Sequence, residues 1–216
     1  MTTAATALPL LGLRITAGPV ELRGITDELI GPLADLAMKG VHDPDLMPFS
    51  EPWTLAPAAE MPRNTARHYW RQRAAFSVES WSIDLAVFWD GELVGSQGMS
   101  THDYLVTRTA ETGSWLGREF HGRGIGTAMR QVICAFAFDQ LEAQTITSAA
   151  FADNPASLAV SRKVGYTDNG WETRKRMDKP ATLRRIILAS ENLVRYEHKL
   201  TVDGIGEFRR SIGLDG

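Results

Sequence analysis

Leu116-Gly117-Arg118-Glu119-Phe120-His121-Gly122-Arg123-Gly124-Ile125-Gly126-Thr127 is the stretch on which the fold and its chemistry are decided. Glycine at alternate positions (Gly122, Gly124, Gly126) leaves the backbone amides uncovered. The stretch opens into a helical pattern with Met129, Val132, Ile133 and Phe136 at core spacing, and the first amides of such a helix lack internal partners. Bare amides, the helix dipole and Arg123 together make an anion site suited to a pyrophosphate. A nucleoside-triphosphate loop would need Gly-Lys-Ser/Thr, whereas the sequence gives Gly126-Thr127-Ala128. A dinucleotide fingerprint starting at Gly122 would need glycine at position 127, and Glu142 precedes the next strand instead of ending one.

Upstream, Ile83, Leu85, Val87 and Trp89 alternate, Asp90-Gly91 makes a hairpin turn, and Glu92–Ser100 returns. Arg108–Leu116 reads as a third antiparallel strand running into the glycine turn. Earlier still, Leu10–Arg23 reads as one or two short strands broken at Gly18-Pro19, with Leu11, Leu13 and Ile15 alternating. Leu29, Ile30, Leu33, Leu36 and Ala37 predict a helix over Asp27–Met38 with Asp27 as its cap. Val41–Pro62 is too rich in proline for a long regular element, and a second helix is expected from about Arg63 to Phe76. Downstream, Thr145–Phe151 reads as a strand, Ala156–Val164 as a helix and Leu183–Leu188 as a strand, after which Ser190 is expected to cap a last helix. The result is one α/β (mixed α+β) domain over 1–216, with a mostly antiparallel sheet flanked by helices.

A second motif follows the first. Asn154-Pro155-Ala156-Ser157 precedes Ser161-Arg162-Lys163-Val164-Gly165-Tyr166; Asn154 can cap the helix between them and Gly165 can end it. His121-Gly122-Arg123-Gly124-Ile125-Gly126 resembles the pyrophosphate motif of the GNAT acyltransferases, with His121 at a position where that family carries Gln or Arg. The segment from Asn154 resembles the family's second motif at the family's offset. The resemblance covers about 81–166 and implies acyl-CoA bound where strands of the sheet splay, with direct transfer to an amine in a ternary complex.

On that resemblance the donor contacts fall on Trp115, Leu116, Gly117, His121, Gly122, Arg123, Gly124, Ile125, Gly126, Thr127, Asn154 and Ser157. Glu111, on one strand face with Gly113 and Trp115, is the candidate base. A backbone amide near Leu116 is expected to polarise the carbonyl. Ser157 and Ser161, on one helix face, are the candidate acids for the leaving thiolate, Ser157 favoured. The co-substrate implied is acetyl-CoA or another acyl-CoA, with no metal. The Asn-Pro-x-Ser form and the Ser-Trp-Leu-Gly strand end resemble the branch that acetylates protein N termini, ribosomal proteins included. Val41–Thr54 is similar to an actinobacterial subgroup. Arg63, Arg67 and Arg71, a basic ridge on the second helix, leave room for a succinyl tail. A non-catalytic CoA-binding regulator and a small-molecule resistance enzyme stay open as alternatives.

Composition bounds the rest. The net charge of −3 gives no reason to expect nucleic-acid binding. Cys134 is the sole cysteine, so no intrachain disulfide is available, and it reads as helix packing. His42, His68, His102, His121 and His198 show no metal-ligand spacing. The opening MTTAATALPLLGL lacks a basic residue and meets Arg14, so neither a signal peptide nor a membrane span is expected, and the location expected is cytoplasmic. The amine acceptor is a protein N terminus or a small molecule, and the resemblance leaves room for a homodimer. The resemblance implies that Met47, Phe49 and Trp53 form one wall of the acceptor site, while as large apolar residues in a loop they can equally be core anchors.

Overall fold

A computed structural model describes residues 7–215; the first residues of the opening weighed as a leader lie outside them. Nine strands form one sheet, in the order β7-β8-β6-β5-β4-β3-β2-β1-β9. In chain order these are β1 (Arg14–Ala17), β2 (Val20–Gly24), β3 (Ser80–Trp89), β4 (Glu92–His102), β5 (Thr109–Leu116), β6 (Thr145–Phe151), β7 (Thr167–Arg176), β8 (Lys179–Ala189) and β9 (Thr201–Asp203). The helices are α1 (Asp27–Met38), α2 (Met61–Ala74), α3 (Tyr104–Thr107), α4 (Ile125–Leu141), α5 (Pro155–Val164) and α6 (Ile205–Ser211). Among the described residues only β5 and β6 run parallel, and every other neighbouring pair is antiparallel.

Strand alternation sorts the side chains into two cores. Trp81, Ile83, Leu85 and Val87 of β3 pack with Met129, Val132, Ile133 and Phe136 of α4 and Phe208 of α6. On the opposite face, Ala86 and Phe88 meet Ile30 and Leu33 of α1 and Tyr69 of α2. The sheet is thus sandwiched between helical layers, burying apolar side chains on both faces. Asp90 and Gly91 take φ of 49° and 83°, as the hairpin between β3 and β4 requires.

Several expectations are corrected. The Leu10–Arg23 alternation does not extend through Leu11: Pro9–Gly12 is a 3₁₀ turn and the first strand begins at Arg14. Thr26, not Asp27, occupies the cap position of α1; Asp27 is already helical and accepts instead from Trp70 Nε1 at 3.1 Å. Arg108 stands before β5 with φ of 45°, ending the short helix α3 that the sequence reading lacked. Ser190 caps no long helix; Ser190–Asn192 is a 3₁₀ turn, and the final helix is α6, entered from Gly204. β7 and β9 were also unanticipated.

Candidate active site

β5 and β6 pair over Thr109↔Thr145, Ala110↔Ile146 and Glu111↔Thr147, and then part. Beyond that point side chains bridge the gap. Ser148 Oγ donates to Thr112 O at 2.7 Å. Arg130, rising from α4, donates from Nη1 to Thr112 Oγ1 and Ser148 Oγ, both at 3.2 Å. Its Nη2 reaches Ser114 Oγ at 2.7 Å, and its Nε reaches Gln97 Oε1 at 3.4 Å. The guanidinium therefore underlies the opening as a wedge, tied to β4, β5 and β6 at once.

At its far end β5 delivers the glycine turn. Gly122 and Gly124 have φ of +75° and +82°, and a Cβ built on either meets no protein atom within 4 Å. The positive φ calls for glycine at both positions, and the open space beside them leaves their backbone approachable. Gly124 is the cap residue of α4, so the first amides of that helix open onto this space. The exposed Arg123 stacks over Phe120, with its guanidinium carbon 5.6 Å from the ring centroid. His121 Nε2 donates to Leu116 O at 3.2 Å, pinning the turn to the end of β5. Gly117 has a packing reason to lack a side chain: a Cβ there would lie 2.7 Å from Leu36 Cδ1. Gly126 and Thr127 belong to the first turn of α4, where Gly126 faces Val160 of α5.

Glu111 is exposed, on the sheet face opposite α4, and is the last β5 residue paired to β6. It borders a cavity of about 100 Å³ that Thr147, Ala149, Glu172, Arg174 and Arg185 also line. Loop aromatics wall this face: Trp53 lies 5.6 Å from the Trp115 ring and 5.4 Å from Phe49. Met47 is held by its carbonyl, which accepts from Arg176 Nη1 at 3.4 Å. Asp84 of β3 shares the face; its Oδ2 has no hydrogen-bond partner among the described residues, and His68 Nε2 stands 3.6 Å away. Arg63, Arg67 and Arg71 are exposed on α2, which packs on α1 and β3, two strands from the splay.

On α5, Asn154 Oδ1 accepts from the Ser157 amide at 3.1 Å, a side-chain N-cap. Gly165 ends the helix at φ +107°. Ser161 is 3% exposed and its hydroxyl donates to Ser157 O at 3.0 Å, whereas Ser157 is half-buried. Cys134 is fully buried, and that burial pushes its thiol up to about 11. A thiol so placed is packing, not a nucleophile.

The sequence model of the acetyltransferase (GNAT) domain matches residues 20–167. The chain belongs to the GNAT acetyltransferase family. Among GNAT relatives, YdaF of Bacillus subtilis (strain 168), provisionally named a ribosomal N-acetyltransferase, is 32% identical over 113 residues, 52% of this chain and 60% of that protein. The chain thus spans about three-fifths of the length of that curated relative. Among solved GNAT structures, RimL, a ribosomal L7/L12 alpha-N-protein acetyltransferase in complex with coenzyme A, is 16% identical with a TM-score of 0.64, covering 79% of this chain and 94% of its own. A Salmonella typhimurium acetyltransferase that modifies the N-terminal serine of L7/L12 is also 16% identical, TM-score 0.65, covering 79% and 95%. These distant likenesses establish the GNAT fold.

Sequence reasoning missed Arg130, Ser114, Gln97 and Ser148. Arg130 did leave a signal: it lies on the helical stripe of Ile133, Cys134 and Ala137, where a charge is out of place. Among the described residues no helix is long and apolar enough to cross a membrane, and no three His, Cys, Asp or Glu side chains gather as a metal site.

Proposed function

We propose that this chain transfers the acetyl group of acetyl-CoA directly to a primary amine, with a protein N terminus as acceptor. One observation carries the reading. A single strand, β5, bears Glu111 where the sheet opens and the glycine turn where it ends. An extended pantetheine fits between those points along the unpaired edge of β5, with its pyrophosphate on the amides from Gly122 to Thr127.

Each contact then has a chemical task. The amide near Leu116 donates to the thioester oxygen as negative charge develops there. Glu111 takes the proton of the incoming amine through water. An α-amine with a pKa near 8 is about 10% neutral at pH 7, against below ~0.1% for lysine, so a modest base suffices for an N terminus. The aromatic wall of Phe49, Trp53 and Trp115 receives the residues that follow the amine. The acceptor class also draws support from YdaF and RimL, named for ribosomal-protein acetylation. The arginines of α2 are two strands away, and acetyl is therefore the acyl group proposed over succinyl.

Initial rates with acetyl-CoA against N-terminal peptides, lysine and small amines test the acceptor. Intersecting double-reciprocal plots are expected for a ternary complex, and parallel ones contradict it. Coenzyme A at a hundredfold excess over its Kd should stabilise the fold by about 2.7 kcal/mol, with NAD and ATP doing less. Equal shifts with NAD would overturn the donor assignment.

A further inference from the structure

Arg130 is only 6% exposed, yet every acceptor it meets is neutral: Gln97 Oε1, Thr112 Oγ1, Ser148 Oγ and Ser114 Oγ. Among the described residues it has no carboxylate within ion-pair distance. Burying a cation costs several kcal/mol, and neutral hydrogen bonds offset only part of it. The titratable neighbours do not supply a counter-charge. Cys134, one turn along α4, has its thiol raised by burial, and so does the Tyr166 phenol, 3.4 Å from Cys134 Sγ and 2.8 Å from Thr112 Oγ1. Both stay neutral near pH 7. Glu111 is on the opposite face of β5, and His121 turns to the Leu116 carbonyl.

Acyl transfer creates an anion at this place. The amine lone pair forms the C–N bond and the C–S bond breaks, its electron pair leaving on sulfur. The amine proton passes through water to Glu111, and the products are an amide and coenzyme A, whose thiolate then takes up a proton. Ser114 is half-buried, and its oxygen already accepts from Arg130 Nη2 at 2.7 Å, so its own proton must point elsewhere.

We propose that Arg130, acting through the Ser114 hydroxyl, stabilises the coenzyme A thiolate as it departs. Arg130 is the positioning residue and the source of charge; Ser114 makes the contact. The inference rests on the splay being the pantetheine channel.

The test reads the ionisation of the coenzyme A thiol bound to the full chain, by the ultraviolet absorbance of the thiolate across pH. In the parent protein the bound thiol should ionise at least about tenfold more readily than the free thiol, whose pKa is ~8.5. Arg130→Met should abolish that shift, Ser114→Ala should shrink it and Arg130→Lys should keep part of it. Turnover should fall about 100-fold in Arg130→Met with KM for acetyl-CoA little changed. A purely structural Arg130 would alter stability and leave the bound thiol where it was. If Arg130→Met does not fold, the parent protein and Ser114→Ala still decide. Tight binding with an unshifted thiol in the parent overturns this proposal alone. Failure to bind coenzyme A at all overturns the donor reading and this proposal with it.

Discussion

Ser148 Oγ donates to Thr112 O at 2.7 Å, one residue beyond the last backbone pair between β6 and β5. A side chain takes over where the backbone ladder stops, and Arg130 bonds to both residues from below. The opening is thus held by defined bonds instead of being a frayed end, and substitutions around it have separable consequences.

Gly124→Val tests the turn. Its φ of +82° strains a β-branched residue by roughly 1–2 kcal/mol, and the methyls would enter space that no protein atom fills. Circular dichroism should report a folded, less stable protein, while calorimetry should find coenzyme A affinity reduced more than about tenfold. Normal affinity in the folded variant would remove the phosphate cradle.

Glu111→Gln should lower kcat by about 10²–10⁴ and leave the coenzyme A Kd within about twofold. The loss should shrink as pH rises, because more of the amine then arrives neutral. A loss that does not vary with pH would show that Glu111 is not the base.

Trp53→Ala should raise KM for a peptide acceptor and leave acetyl-CoA binding unchanged. The ring pair with Trp115 contributes about 0.5–1.5 kcal/mol to seating the loop, so a modest stability loss is expected too. Unchanged peptide KM would take the Phe49–Trp53 wall out of acceptor binding.

Arg176 ties three parts together: both its Nη atoms meet Asp153 at 2.7 Å, its guanidinium carbon lies 4.5 Å from the centroid of Phe151, and Nη1 reaches Met47 O. The Arg176 hydrogen bonds hold the Asp153 carboxyl below its ordinary pKa. A carboxyl lowered in the folded state gives stability that is present above its unfolded value and lost as pH falls through the folded one. The pair is partly exposed, so the contribution should be at most about 1 kcal/mol. Asp153→Asn should flatten that part of the acid limb in urea unfolding, and Arg176→Ala should speed proteolysis of the segment around Met47.

Some elements were legible because one residue type reports one backbone state. Asp90-Gly91 announced its hairpin, and Gly122 and Gly124 announced a turn, whose φ at both glycines is positive in the structure. The apolar spacing of Ile30, Leu33, Leu36 and Ala37 gave α1 its bounds. β7 was illegible for the opposite reason: it is exposed along almost its whole length, so no core imposes alternation, and pairing with β8 makes it a strand. β9 is three residues held by β1. Ser190 reads as a helix cap, but the turn it opens ends after Asn192 and the chain runs on extended from Leu193, which is buried, with the Val194 amide donating to Val164 O at 2.9 Å. The glycine turn could be read locally. The wedge could not, since its acceptors come from three strands distant in sequence.

The parting of β5 and β6 gives this sheet an edge in its middle. Among the described residues three pairs make up the strand pairing between its two halves, β7-β8-β6 and β5-β4-β3-β2-β1-β9. Beyond the last pair the gap-facing amides of Ser114, Leu116, Ala149 and Phe151 meet no facing strand, so their deuterium uptake should be fast for groups so near a core. A molecule lying in the gap would complete the ladder, and coenzyme A should slow exchange there along a line running from the seam to the glycine turn.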